Sequence, residues 1–118
     1  MWLSHPGATH SQNIRERGTT AVAVFDSTQS WGKPDRGIQL FGAAVQLDHE
    51  AADAAATYAA RFPESRNAPA AYRFYEFRPT RVKLFDERAF GAGRFVRATV
   101  DADGRLSWEA TDVYPVED

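Results

Sequence analysis

Short apolar runs dominate this chain, and a clear helical period shows in one place. Thr20–Asp26, TAVAVFD, is apolar at both alternating positions, the pattern of a strand covered on both faces. Gly37–Leu47 is a second long apolar run, and the glycine inside it, Gly42, marks a barrel bend. Asp48 reads as the N-cap of the helix that follows to Phe62, where Pro63 stops it. Ala51, Ala55, Tyr58 and Phe62 recur at helical spacing and predict its buried stripe.

Met1–Ser4 reads as the end of a strand, His5-Pro-Gly as a turn and Ala8–Arg17 as a short polar helix stopped by Gly18. A strand at Met1–Ser4 with no predicted neighbour leaves an exposed edge. Ser27–Arg36 is turn-rich, and Glu64–Ala71 is a loop. Strands are predicted at Tyr72–Arg78 and Arg81–Asp86, separated by a Pro-marked turn. A link holding Gly91 and Gly93 leads to a strand at Arg94–Val100. Asp103-Gly104 is a hairpin turn returning along Arg105–Ala110, and the acidic tail Asp112–Asp118 is expected to be mobile. Many strands with one central and one short helix predict a mainly β, α+β fold: an antiparallel barrel with helices packed on it.

Composition narrows the picture. A length of 118 residues fits one domain, and 43% hydrophobic residues suffice for a core. The net charge of −2, with both signs interspersed, argues against nucleic acid or an anionic membrane as partner. The absence of cysteine excludes thiol nucleophiles, disulfides and Cys-ligated zinc. No secretory leader and no bilayer-length apolar run stand in the sequence, so a cytoplasmic protein is expected.

The order of motifs is distinctive. A strand end and turn lead through a Thr-His step into a helix and a buried strand. RGIQLFG follows at Arg36–Gly42, then ARFP at Ala60–Pro63 and RVKLFD at Arg81–Asp86. In this order the chain resembles the pyridoxamine 5'-phosphate oxidase-like FMN-binding split-barrel family, from about Trp2 to Val100. The resemblance implies an antiparallel split barrel that pairs as a homodimer, a flavoprotein with oxidoreductase chemistry and FMN at the subunit interface. By the same resemblance Ser4 touches the ribityl-phosphate side, Thr9 and His10 hold the phosphate and Gln39 lies in the strand that flanks the ring; Asn13 is taken as a helper that orients the loop. Three departures stand beside it. The family's first two strands have no counterpart, so the chain reads as N-terminally short. Ala8 occupies a position where relatives carry Ser or Thr. The Arg-Leu-x-Pro signature of the true oxidases is absent, so vitamin B6 oxidation is not implied.

The residues give the phosphate reading an independent rationale. A helix start offers unpaired N–H groups and the positive end of a dipole. Ser4, Thr9 and Ser11 add hydroxyls, and His10 adds a charge-assisted donor when protonated. The alternative is that Thr9 or Ser11 caps a surface helix and His10 is solvated. His5, His10 and His49 lack carboxylates at ligand spacing, so no metal site is expected. Asp86-Glu87 and Asp101/Asp103 read as strand-end and turn chemistry. Trp31 and Trp108 suit either a flat ligand or a core or dimer interface. The aromatic strand Tyr72–Phe77 is bulky on both faces and predicts burial against barrel and partner alike. No residue is assigned as catalytic. A non-catalytic, dimeric flavin- or ligand-binding module of the same fold is the competing expectation, with a purely structural dimerisation domain behind it.

Overall fold

The computed structural model describes residues 1–48 and 50–115. The described residues form a mainly β, α+β fold: one six-stranded sheet, not closed, with three short α-helices. In chain order these are β1 (Trp2–Ser4), α1 (Thr9–Arg17), β2 (Thr19–Phe25), β3 (Arg36–Gln46), α2 (Ala52–Arg61) and a 3₁₀ turn at Pro63–Asn67. Then come β4 (Arg73–Asp86), α3 (Glu87–Phe90), β5 (Arg94–Val100) and β6 (Leu106–Val113). The sheet order is β2-β3-β4-β5-β6, and β1 also pairs with β4. The β1–β4, β4–β5 and β5–β6 pairings are antiparallel.

Contacts group the chain into two compact units, residues 1–20 with 43–78, and residues 21–42 with 79–118. The first unit holds a small core of Ile14, Ala44 and Tyr75, flanked by Trp2 and Phe77. Tyr75 is 0% exposed. Trp2 stacks on it with ring centroids 5.4 Å apart, and Tyr58 meets Phe74 edge-on at 5.4 Å. The Tyr75 hydroxyl donates to Gln46 Oε1 (3.0 Å), which also accepts from Arg15 (2.9 Å). The buried phenol is thereby satisfied.

In the second unit the registers sort the strands into two faces. Val82 lies opposite Ala98 and Leu84 opposite Val96, while Ala98 faces Trp108 and Val100 faces Leu106. The other face pairs Arg81 with Thr99, Lys83 with Arg97 and Phe95 with Asp112. Glu109 is the extra residue of a bulge where the register shifts. Only Val82 and Ala98 are buried hydrophobics among this unit's described residues.

Several expectations need correction. The strand at the amino end does have a neighbour: Trp2, Leu3 and Ser4 pair with Tyr75, Phe74 and Arg73. The helix α2 is capped at Ala51, not Asp48, and starts three residues later than the Asp48 cap implied. Its most buried residue is Ala59, and Phe62 is exposed. Thr20–Asp26 is not covered on both faces, since Val24 and Phe25 are exposed on an edge strand. No turn breaks β4 at Pro79. The β1 pairing ends at Tyr75 and the β5 pairing begins at Arg81, so Pro79 lies where β4 changes partner along one edge. The link after Asp86 contains α3, whose first amides, Arg88 and Ala89, donate to the Asp86 side chain. The last strand runs on to Val113 and takes in the start of the acidic tail. The remainder of that tail, 116–118, and His49 lie outside the described residues.

Candidate functional site

The polar turn between β1 and α1 is built from local geometry. Ala8 N–H donates to His5 O (3.1 Å), and Gly7 N–H donates to the His5 ring (2.9 Å). Gln12 reaches back to Gly7 O (2.9 Å). These bonds fold the His5-Pro-Gly segment so that α1 starts beside the end of β1. Ser4 Oγ and His10 Nε2 consequently lie 2.9 Å apart.

Ala8 is the N-cap and contributes no side-chain bond. The hydroxyls of Thr9 and Ser11 therefore do not cap this helix, and its first-turn amides have no side-chain acceptor. Along α1, Ser11 and Ile14 form the buried side, while Thr9, His10 and Asn13 are exposed. Three- and four-residue spacing puts Thr9, His10 and Asn13 on neighbouring positions of that exposed side. Ser11 is 0% exposed, and its hydroxyl has no partner among the described residues. A buried orphan hydroxyl is uncommon and calls for a reason.

Four of the five expected cofactor contacts, Ser4, Thr9, His10 and Asn13, thus belong to one turn and one helix of the first unit. Gln39 lies exposed on β3 in the second unit. Ser11 was legible only as one hydroxyl among several. Its burial has no local signature, because Ile14 is the only large apolar residue in THSQNIRER.

The arrangement suits an anion. In the imidazolium form both His10 ring nitrogens donate. Nε2–H then points at Ser4 Oγ, and the Ser4 hydroxyl proton is free to turn to an external acceptor. With the unpaired first-turn amides and the positive helix end, this makes a cradle for a phosphate group.

A small polar cleft in the second unit has a different character. It is lined by Asp26, Gln29, Asp35, Arg36, Asp86 and Arg88, among others. Its carboxylates are committed to turn chemistry. Asp26 accepts from Thr28 Oγ1 (2.6 Å) and Thr28 N (2.9 Å), which hold its carboxyl below the usual carboxylate range. Asp35 accepts from Arg36 N (2.8 Å) and Asp86 from Arg88 N (3.0 Å). Among the described residues no group of three or more His, Asp and Glu is placed to hold a metal ion.

On the charged face of the second unit, Arg97 makes two bonds to Asp112 (2.7 and 3.3 Å), and Glu109 lies 3.6 Å from it. The Arg97 hydrogen bonds hold the Asp112 carboxyl below its ordinary range, and the same pair raises Arg97. Lys83 stands over the Phe95 ring (4.7 Å) and near Tyr114 (5.8 Å). Arg81 bonds Glu109 (3.3 Å). The two strand basics are therefore engaged within this face. Neither Trp31 (104% exposed) nor Trp108 (70%) fills a core in this chain.

No helix among the described residues is long and apolar enough to cross a membrane. No family model matches the chain, and no curated protein does. A solved structure aligns over 89% of the chain with a TM-score of 0.62 and 17% sequence identity. The chain spans 66% of that structure's length, and the likeness is one of fold.

Proposed function

We propose that this chain is an FMN-binding, flavin-dependent oxidoreductase-like protein of the pyridoxamine 5'-phosphate oxidase-like split-barrel class, acting as a homodimer. One observation carries the reading. Ser4 and His10 meet at 2.9 Å beside a helix start that has no side-chain cap. The Ser11 hydroxyl in the same turn faces the buried side of α1 with Ile14 and takes no part in that cradle. The cradle's donors fit a phosphate monoester, and Thr9 and Asn13 border them. FMN, when bound, supplies the hydride and electron chemistry. The residues of the chain bind and orient it, and none is assigned an acid or base role. The open, mainly antiparallel sheet is compatible with that family.

The purified protein is expected to be yellow and to release FMN on heating. A colourless protein that takes up no added FMN overturns the proposal. In His10→Ala, loss of a charge-assisted contact should cost about 1.5–3 kcal/mol of FMN binding, roughly tenfold to a hundredfold. Unchanged affinity in that variant places the phosphate elsewhere. Bleaching by NADH or NADPH followed by electron transfer to an acceptor marks the oxidoreductase. Tight flavin binding without turnover marks the alternative, a non-catalytic ligand-binding dimer.

A further inference from the structure

A second cation stands beside the Ser4–His10 pair. In the β1–β4 ladder Ser4 lies opposite Arg73, and Trp2 lies opposite Tyr75. Directly opposed residues share a face, with Cβ atoms about 4.5–5.5 Å apart. The stacked Trp2 and Tyr75 rings mark that face as the one α1 covers, since Ile14 of α1 enters the same core. Arg73 therefore lies on the α1 side of the sheet, next to the Ser4 that meets His10. Its side chain turns back along the chain, and Nη1 donates to the carbonyls of Ala70 and Tyr72 (both 2.9 Å). In an antiparallel pair, back along β4 is forward along β1, toward the His5-Pro-Gly turn. The His5 and Tyr72 rings, edge to face at 6.1 Å, carry the same register one position further.

We infer that Arg73 is a binding residue of this site and makes it selective for a terminal, dianionic phosphate monoester. The inference rests on the proposed phosphate cradle and adds to it a residue that no sequence motif singles out. Three arguments support it. First, a guanidinium offers five N–H donors in a planar fork. The Nη1 pair is taken by the Ala70 and Tyr72 carbonyls, which leaves the Nε–Nη2 edge. That edge meets no carboxylate among the described residues, and its geometry suits two oxygens of one phosphate. Second, the two carbonyls hold the half-buried Arg73 side chain in place before any ligand arrives, so less freedom is lost on binding. Third, Arg73 is always charged, and an imidazolium at His10 adds a second positive charge. The two match the double negative charge of a terminal phosphate. A phosphodiester carries a single charge on each phosphorus, and a free alcohol carries none.

The test compares binding of FMN, of FAD, whose phosphates are diesters, and of riboflavin, which has none. Wild type should prefer FMN to both. Arg73→Gln should weaken FMN binding by on the order of tenfold to a hundredfold and leave riboflavin binding unchanged. Arg73→Lys, which keeps the charge and loses the fork, should fall between the two. Arg78→Gln removes an equal charge from the other face of β4, where Arg78 pairs with Glu76, and should bind FMN as wild type does. Circular dichroism checks that the variants keep the wild-type fold. A second arm uses inorganic phosphate alone, read as a rise in melting temperature. The rise should be present in wild type and Arg78→Gln and absent in Arg73→Gln. A wild type that takes up no FMN but shows this pattern ends the flavin reading and keeps the inference, with another phosphorylated molecule as ligand. FMN bound equally well by wild type and Arg73→Gln, FAD bound as well as FMN, equal loss of FMN and riboflavin in Arg73→Gln, or a wild type that responds to neither FMN nor phosphate overturns the inference.

Discussion

At the scale of single residues, the buried hydroxyl of Ser11 makes the sharpest prediction. An unpartnered hydroxyl in a core costs the free protein about 1–3 kcal/mol. Ser11→Ala removes that atom with almost no change of volume, so it should raise stability to urea by about 1 kcal/mol. The same change should leave FMN binding unmoved, because Ser11 lies on the buried side of α1 and not among the exposed Thr9, His10 and Asn13. Tyr75 gives the contrasting case. Tyr75→Phe should cost only about 0.5–1.5 kcal/mol, because Gln46 keeps its bond from Arg15 and is not orphaned. Tyr75→Ala, which empties a 0% exposed site, should cost about 3–5 kcal/mol by the same denaturation measurement. These residues were unequally legible. Ser4 and His10 are six apart across a Pro-Gly turn, and their meeting follows from local chain geometry. The Tyr75–Gln46–Arg15 cluster joins residues 29 and 31 positions apart, and no local pattern contains it.

At the scale of elements, the β5–β6 ladder carries a pH dependence whose sign is fixed by the Arg97–Asp112 pair. The Asp112 carboxyl titrates below its unfolded value because Arg97 bonds it, against the opposing effect of partial burial. Its stabilising contribution is therefore complete above the unfolded value, about 3.9. It is lost as pH falls through the lower folded value. Arg97 is raised and stays charged throughout that window. The gap in melting temperature between wild type and Asp112→Asn should accordingly be present at neutral pH and close in strong acid. A gap that persists unchanged in acid would assign the pair no role. The hairpin feeding this ladder was legible. Asp101 accepts from Asp103 N and Arg105 N (both 2.9 Å), and Gly104 takes φ +79°, as the Asp-Gly turn required. Pro79 misled the local reading, since a proline in a strand run signals a turn unless pairing changes partners there, and the partner change is non-local. The pairing of β1 with β4 was hidden for the same reason: register between segments 70 residues apart leaves no trace in either one.

At the scale of the molecule, the two compact units differ in what holds them. The first has Ile14, Ala44 and Tyr75 together in a core, with aromatic stacking around it. Among its described hydrophobics the second buries only Val82 and Ala98, while Leu106, Trp108 and Val113 stand exposed. The 43% hydrophobic content fits one ordinary domain, but a percentage does not say which apolar residues find cover within the chain. Protection of backbone amides from exchange follows local opening, and opening is easiest where few apolar contacts resist it. In a dilute sample the amides of β5 and β6 should therefore exchange faster than those of α1 and the Ala44 stretch of β3, by roughly tenfold for each 1.4 kcal/mol of difference. If the proposed homodimer forms over β6, raising the protein concentration should slow β5 and β6 and leave the first unit unmoved, because association stabilises by mass action only what it covers. Concentration-independent rates in β6 would mean that the Leu106–Trp108 face stays open to water, and uniform rates along the chain would mean that the two cores are equally strong.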